Sequence, residues 1–135
     1  MSQKVVARYR DGRMVKGHSV DIAAGRRVFH VRPPDGEPMQ IRMDELKAVF
    51  FVRNFVGKAS RHEKRIPDPR DPRSRGSTVL TLVFEDGEVM TGWVMRYPPT
   101  EQFFFMVPVD SGSNNQRILI NSAAVAVMEA VPASV

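Results

Sequence analysis

The chain has no cysteine and no long apolar run. Without cysteine it can form neither a disulfide framework nor a thiol site, which fits a reducing compartment. The longest apolar run, Ala48 to Val52, has the length of a buried strand and falls far short of a membrane-spanning helix. The first residues also lack the apolar segment of a secretory signal. We therefore expect a cytoplasmic protein without a membrane partner.

The sequence also lacks the motifs of catalysis. Its three histidines, His18, His30 and His62, show no metal-ligand spacing. No glycine-rich phosphate loop or nucleophile elbow is present. Carboxylates such as Asp11 and Asp86 lie at turn positions, where they bond local backbone. We predict that the protein is not an enzyme and that it holds no metal and no cofactor.

Basic residues are scarce in the second half of the chain, an asymmetry that the formal net charge of +5 does not reveal. Residues 1–52 contain ten Lys or Arg and six Asp or Glu, whereas residues 77–135 contain two and six. Residues 53–76 contain eight and three. The first half and the middle are therefore basic and the second half is acidic, an asymmetry that bears on association rather than on fold.

A short phrase occurs twice, 75 residues apart. Asp11-Gly12 is followed by Gly17, and Asp86-Gly87 is followed by Gly92. Asp-Gly is a strong hairpin signal, and a glycine inside a strand marks a bulge, a bend or a close backbone approach. Internal repetition predicts one small β unit used twice. We place the units at residues 1–55 and 77–135, joined by a basic Pro/Arg-rich linker at 56–76.

Period-two alternation predicts five strands in each unit and almost no helix. The first unit has strands near 4–10, 13–20, 28–32, 39–43 and 47–52, and the second near 78–85, 88–96, 103–108, 116–120 and 124–130. After the loop at 110–115 the offset becomes about 77, which aligns Ile118 with Ile41. A bent second strand and a helical turn before the fifth are typical of a small closed barrel, in which closure hides the sheet edges.

At this point a resemblance emerges. Residues 6–17 and 81–92, each built around Asp-Gly-x-x-x-x-Gly, resemble the first Sm motif, and residues 44–52 and 121–130 resemble the second. The resemblance implies an all-β fold of two fused five-stranded Sm-like or SH3-like barrels. Sm proteins hold bases with a loop Asp and Asn. Arg27 and Gln102 occupy the corresponding Asn positions, which argues against base-specific RNA binding.

The whole chain also resembles an uncharacterised family of small bacterial proteins. Segments 47–52 and 113–117 carry that likeness. Members of the family occur alone or attached to regulatory domains. The resemblance therefore implies a signalling or adaptor setting, without an established activity.

The linker is the most unusual segment in composition. Its prolines favour extended chain, and its guanidinium groups are suited to phosphate. The candidate anion-binding residues are Arg61, Lys64, Arg65, Arg70, Arg73 and Arg75. Arg61 and Arg65 also have the spacing of the first half of the PilZ cyclic-dinucleotide signature, although the second half has the wrong spacing. Nucleic-acid or nucleotide binding is therefore the alternative function, and a plain solvated linker is the other interpretation.

Aromatic residues supply the remaining candidates. Phe51, Phe103 and Phe105 belong to strands that are apolar on both faces, whereas a free barrel needs only one such face. Trp93 and Tyr97 share a face on another strand. These five residues form either the interface between the units or a surface for another molecule, including a second copy in a homo-oligomer. We predict a non-catalytic adaptor that binds a protein partner through Phe51, Trp93, Tyr97, Phe103 and Phe105.

Overall fold

The computed structural model describes residues 2–56 and 62–130, and it confirms the prediction of an all-β protein. The strands are β1 (Gln3–Tyr9), β2 (Met14–Ser19), β3 (Val28–Val31), β4 (Met39–Arg42), β5 (Leu46–Val52), β6 (Thr78–Phe84), β7 (Val89–Val94), β8 (Phe103–Pro108), β9 (Asn115–Asn121) and β10 (Val125–Ala130). Three short 3-10 helices cover Met43–Glu45, Pro72–Ser74 and Ser122–Ala124. In the described residues, none of the helices is long and apolar enough to cross a membrane.

The strands form one large antiparallel sheet and one small one. The large sheet has the order β10-β6-β7-β8-β9-β5-β1-β2, and the small sheet pairs β3 with β4. A bridge joins the small sheet to β2, because His18 N donates to Arg32 O at 3.0 Å and Arg32 N donates to His18 O at 2.8 Å. Pairing among the described strands closes neither half into a barrel. The two halves meet in the large sheet at the β5–β9 pair.

Both halves contain the same tight turn. Gly12 and Gly87 have φ of 96° and 93°, a conformation that only glycine adopts without strain. The Tyr9 amide donates to Arg13 O at 2.8 Å, and the Phe84 amide donates to Glu88 O at 2.8 Å. The two Asp-Gly hairpins predicted from the sequence therefore form at the same place in each half.

The mid-strand glycines lie where another segment comes close. A Cβ on Gly17 would sit 2.2 Å from the carbonyl oxygen of Arg32. A Cβ on Gly92 would sit 2.4 Å from Cγ of Met106 and 2.7 Å from the carbonyl oxygen of Val107. Because glycine has no side chain, β2 can approach β3 and β7 can approach β8 more closely than a residue with a Cβ would permit.

The pairing register corrects the alignment of the two halves. Ile41 lies opposite Phe29, and Ile120 lies opposite Phe104. Ile120 therefore occupies the position of Ile41, so the predicted match with Ile118 is wrong. The offset is 79 residues there (120 minus 41), against 75 at the turns. The loop before β9 is thus longer by four residues, and its length is not fixed by the apolar pattern of the strands on either side.

The last strand of each half carries the same irregularity. The register of β5 against β1 shifts at the step from Arg8 to Tyr9. The register of β10 against β6 shifts between Val125 and Val127, where β6 ends at Phe84. Such a bulge bends its strand and increases the local twist.

Two apolar clusters form the core, and β5 contributes to both. The first cluster contains Val5, Ala7, Phe29, Ile41, Val49 and Phe51 of the first half with Leu119 of the second. The second contains Leu80, Leu82, Phe84, Met106, Ile118 and Ile120 with Val6, Ala48, Phe50 and Val52 of the first half. All seven residues of β5 are buried. Its two apolar faces are therefore explained by a core shared between the halves.

Candidate binding surfaces

Charged side chains fasten the two halves beside the β5–β9 pair. Lys47 is only 6% exposed, and its Nζ donates to Asp86 Oδ2 at 2.7 Å and to Glu88. The same ammonium lies 4.6 Å from the ring centroid of Phe84. The hydrogen bond from Lys47 is the main reason why the pKa of Asp86 lies below its usual value. The buried ammonium is thus neutralised by two carboxylates of the opposite half.

A second ion pair lies nearby. Arg10 donates to both carboxylate oxygens of Glu85, at 2.8 and 2.9 Å, and to Ala123 O at 3.2 Å. This bidentate geometry fixes orientation as well as distance. The turn of the first half is therefore held against the turn of the second.

Two adjoining cavities open along the boundary between the halves. Their volumes are about 230 and 760 Å³, and both are lined by Arg8, Glu88 and Asn115. Lys16 lines the smaller cavity, and Lys64 and Arg65 line the larger one. We call the surface around Arg8, Lys16, Lys64, Arg65 and Asn115 the junction groove. The volume of the larger cavity lies within the range of about 300–1,000 Å³ that is usual for small-molecule sites.

The carboxylates of the groove are already engaged. Glu88 accepts from Lys47, and Glu63 accepts from the Ser113 hydroxyl. By contrast, no ion pair in the described part of the chain uses Arg8, Lys64 or Arg65. Glu63 bonds to a neutral hydroxyl and keeps its negative charge, so it offsets one of these three cations. The groove retains a net positive charge that an anionic ligand could take up.

Contacts on both sides hold the Arg8 and Lys16 side chains and the Lys64 backbone in place. The guanidinium carbon of Arg8 lies 5.6 Å from the ring centroid of Phe50. Lys16 Nζ donates to Phe55 O at 3.1 Å. The Lys64 amide donates to Asp110 Oδ2 at 2.9 Å, which ties this part of the linker to the second half.

The structure divides the predicted anion-binding residues. Lys64 and Arg65 line the groove, whereas Arg70 and Arg75 are exposed and line neither cavity. Arg73 is held by Asp71, and Arg61 lies outside the described residues. Sequence reasoning missed Arg8 and Lys16, which alternate with apolar residues in β1 and β2 and so look like ordinary solvent-facing positions.

The Asp71–Arg73 pair is a local structure of the linker. Asp71 caps the 3-10 helix at Pro72–Ser74 by accepting from the Arg73 amide at 2.9 Å. Hydrogen bonds from the Arg73 side chain and backbone lower the pKa of Asp71 to about 2. The guanidinium carbon also lies 6.0 Å from the ring centroid of Trp93. Arg73 is therefore committed to the fold of the linker.

The predicted protein-binding aromatics differ in exposure. Phe51 and Trp93 are buried, whereas Phe103 and Phe105 are half-buried against the first cluster. The guanidinium carbon of Arg117 lies 4.3 Å from the ring centroid of Phe51 and 4.5 Å from that of Phe105. Tyr97 is the most exposed of the five, at 40%. Their role in binding a partner stays a prediction.

An apolar cavity lies beside Tyr97, where the chain leaves β7 and returns as β8. Its volume is about 260 Å³. It is lined by Val94, Met95, Arg96, Pro99, Thr100, Glu101, Phe104 and Phe105. We call this lining the loop surface. Met95 is 90% exposed, and it shares the cavity lining with the partly buried Phe104 and Phe105. Met95 is detectable in the sequence, since it continues the apolar run of β7 beyond its last paired residue.

His30 is bonded to Asp21, which the sequence did not indicate. His30 Nδ1 lies 2.8 Å from Asp21 Oδ2, and the His30 amide donates to Asp21 Oδ1 at 2.9 Å. Burial raises the pKa of Asp21, but the hydrogen bonds from His30 and Ser19 outweigh it and place the pKa below its usual value. In residues 2–56 and 62–130, no three His, Cys, Asp or Glu side chains are grouped as metal ligands.

Comparison with known proteins identifies a family whose function is unknown. A family model described as "Family of unknown function (DUF6982)" matches residues 1–132. No curated protein and no solved structure matches the chain. The match covers both halves and the segment between them.

Proposed function

The chain belongs to the family of unknown function DUF6982, and we propose that it is a non-catalytic adaptor that binds a protein partner on the loop surface. The observation that carries this proposal is the 90% exposure of Met95 beside an apolar cavity. Exposed methionine next to aromatic side chains is typical of surfaces that adapt to another protein. A signalling setting stays a prediction.

The cavity favours a peptide side chain over a small molecule. Its volume of about 260 Å³ lies below the range of about 300–1,000 Å³ that is usual for small-molecule sites. Phe104 and Phe105 are partly buried and supply aromatic surface to the lining. Arg96 and Glu101 are exposed members of the lining and offer charges of both signs, as the polar residues around an interface do. A partner segment with one large apolar side chain fits this arrangement.

A capture experiment with matched variants tests the adaptor proposal. Met95→Asp should remove the partner from an affinity pull-down, because a carboxylate would be desolvated at the contact. Val20→Asp is the control, since Val20 is 77% exposed and lies outside the loop surface. Equal recovery of every bound protein by the two variants, or the absence of any protein retained by the wild type, would overturn the proposal.

We also propose that the two halves are Sm-like or SH3-like small barrels in tandem. The strand order supports this. The second half runs β10-β6-β7-β8-β9. With the His18–Arg32 bridge included, the first half runs β5-β1-β2-β3-β4. The matching turns, close-approach glycines and bulges support the same organisation.

The junction groove favours a second candidate function, the binding of a phosphate-bearing ligand such as a nucleotide. The observation in its favour is that Arg8, Lys64 and Arg65 converge on one groove while its carboxylates are engaged elsewhere. Guanidinium groups bind phosphate oxygens in pairs, and this geometry gives specificity as well as affinity.

Charge reversal inside and outside the groove tests this candidate. Arg8→Glu with Arg65→Glu should abolish binding of a fluorescent cyclic dinucleotide or short oligonucleotide at low salt. Arg70→Glu with Arg75→Glu changes the net charge equally but lies outside the groove, so it should leave most binding in place. Wild-type binding should also weaken steeply as salt rises. Equal losses in the two double variants would show non-specific attraction, and absent wild-type binding would reject the candidate.

A further inference from the structure

The strands β4 and β10 lie at edges of their sheets, whereas their counterparts β9 and β5 pair with each other. Every residue of β5 is buried, and the strand is paired with β1 on one side and with β9 on the other. In β10, which holds the same place in the second half, Ala126, Val127, Glu129 and Ala130 are exposed. Among the described strands, β10 therefore has a free edge at the position where β5 pairs with β9 inside the chain.

The complementary free edge belongs to β4. The counterpart strand β9 buries its last four residues, Ile118 to Asn121. In β4, by contrast, Met39, Gln40 and Arg42 are exposed, and β3 is the strand that pairs with it in the described part of the chain. An open strand edge presents unpaired N–H and C=O groups to a further strand.

We propose that copies of this chain associate head to tail, with β4 of one copy added to β10 of the next in the register of the internal β5–β9 pair. The inference extends the proposed tandem organisation and does not depend on the adaptor function. Inside the chain, Ala48 lies opposite Ile120. Shifting each strand by the 79-residue offset places Val127 opposite Ile41. Met128 then faces Gln40, and Glu129 faces Met39.

One apolar side chain on each edge and the net charges of the two halves favour this contact. Val127 is 50% exposed and Met39 is 43% exposed, and the added strand would cover apolar surface on both. Residues 1–52 have four more Lys and Arg than Asp and Glu, and residues 77–135 have four fewer. The contact joins the basic half of one copy to the acidic half of the next, which favours it over contacts between like halves.

The proposed β4–β10 contact is shorter than the β5–β9 pair inside the chain. Pro38 precedes β4 and has no N–H to donate, so the ladder ends at Met39. Each copy has one edge of each kind, which makes the interface heterologous. A heterologous contact generates a ring if the rotation closes and a filament if it does not. We therefore expect assemblies of more than two copies that dissociate on dilution.

Sedimentation of the full chain at several concentrations tests the proposal. The mean mass of the wild type should rise with concentration. Val127→Lys should keep the protein monomeric, because an ammonium would be buried opposite Ile41. Val20→Lys is the matched control, since its charge change is the same and Val20 lies on neither edge. A wild type that stays monomeric throughout, or equal effects of the two variants, would overturn the proposal.

Disulfide trapping tests the register independently, because the chain contains no cysteine. Directly opposite residues have Cβ atoms about 4.5–5.5 Å apart, close to disulfide geometry. The double variant Gln40→Cys with Met128→Cys should give a ladder of intermolecular species on a non-reducing gel. The out-of-register pair Arg42→Cys with Met128→Cys should give much less. No ladder, or ladders of equal strength, would reject the proposed register even if the sedimentation variants were unstable.

Discussion

The ion pairs of Lys47 join a buried cation to two partly exposed carboxylates. The Lys47 side chain is 7% exposed, whereas the side chains of Asp86 and Glu88 are about half exposed, at 50% and 46%. Removing either side of the network therefore leaves very different groups behind. A carboxylate without its partner would still be hydrated, but the ammonium would be buried without compensation.

We accordingly expect an asymmetry between variants of this network. Lys47→Met should lower the free energy of unfolding by about 1 kcal/mol, the scale of a partly exposed ion pair. The double change Asp86→Asn with Glu88→Gln should lower it by about 3 kcal/mol, because it strands a buried charge. Urea unfolding near neutral pH measures both. A larger loss for Lys47→Met would contradict the burial of the ammonium.

Asp71 gives a prediction about pH. Its pKa in the folded chain is about 2, below the value of about 3.9 for an unperturbed Asp. The pair with Arg73 therefore stabilises the fold above about pH 4, and this contribution is lost as the pH falls toward about 2. Carboxyl chemical shifts should show the Asp71 midpoint near 2. In Arg73→Ala the midpoint should rise toward its ordinary value, and an unchanged midpoint would rule out the pair as the cause.

At the scale of elements, the two mid-strand glycines are not equivalent. Alanine at Gly17 would meet the backbone of Arg32, which is fixed by its bridge to His18. Alanine at Gly92 would meet the flexible side chain of Met106 first, although the carbonyl of Val107 is also close. The two halves therefore differ in how much crowding they can absorb.

We expect Gly17→Ala to destabilise the protein by about 3 kcal/mol, the upper part of the range for overpacking. Gly92→Ala should cost less, because Met106 can change rotamer. Thermal unfolding followed by circular dichroism compares the two variants directly. If Gly92→Ala were the more damaging change, the close backbone approach at Gly17 could not be the controlling contact.

Elements that depend on neighbouring residues could be predicted from the sequence, and elements that depend on distant ones could not. Alternation in β1 and the Asp-Gly turns act over a few residues, so the strands and hairpins were foreseen. β5 pairs with β9 as well as with β1. β9 is far along the chain, and no local pattern identifies it as a partner. The alignment of Ile118 with Ile41 failed for a related reason, since backbone pairing and not apolar similarity sets the register.

The junction groove shows the same limit. Lys64 and Arg65 were identified because their segment has an unusual composition. Arg8 and Lys16 were missed because a basic residue on the solvent-facing side of a strand is ordinary. Only the packing of the linker against the second half brings the two pairs into one groove.

At the scale of the whole molecule, the shared core should make the halves unfold together. Phe50 belongs to the first half but packs in the cluster of the second, with Leu80, Phe84 and Ile120. Trp93, the only tryptophan, lies in β7 of the second half. A substitution in one half can therefore be read out in the other.

Phe50→Ala should lower the free energy of unfolding by about 3–5 kcal/mol, because it removes a buried ring and leaves a cavity. The loss should appear equally in Trp93 fluorescence and in circular dichroism, with one common midpoint. Val20→Ala, at an exposed position, should leave both signals unchanged. A Trp93 transition that does not move in Phe50→Ala would mean that the halves fold independently.

The covalent link between the partners β5 and β9 has a further consequence. Because both strands belong to one polypeptide, their encounter is unimolecular, with an effective concentration that tethering raises to the order of millimolar. That contact forms however dilute the protein is. The proposed β4–β10 contact has no tether, so its occupancy would follow the amount of protein present. Gene dosage and expression level would then determine how far the chain assembles, while each molecule stays folded throughout.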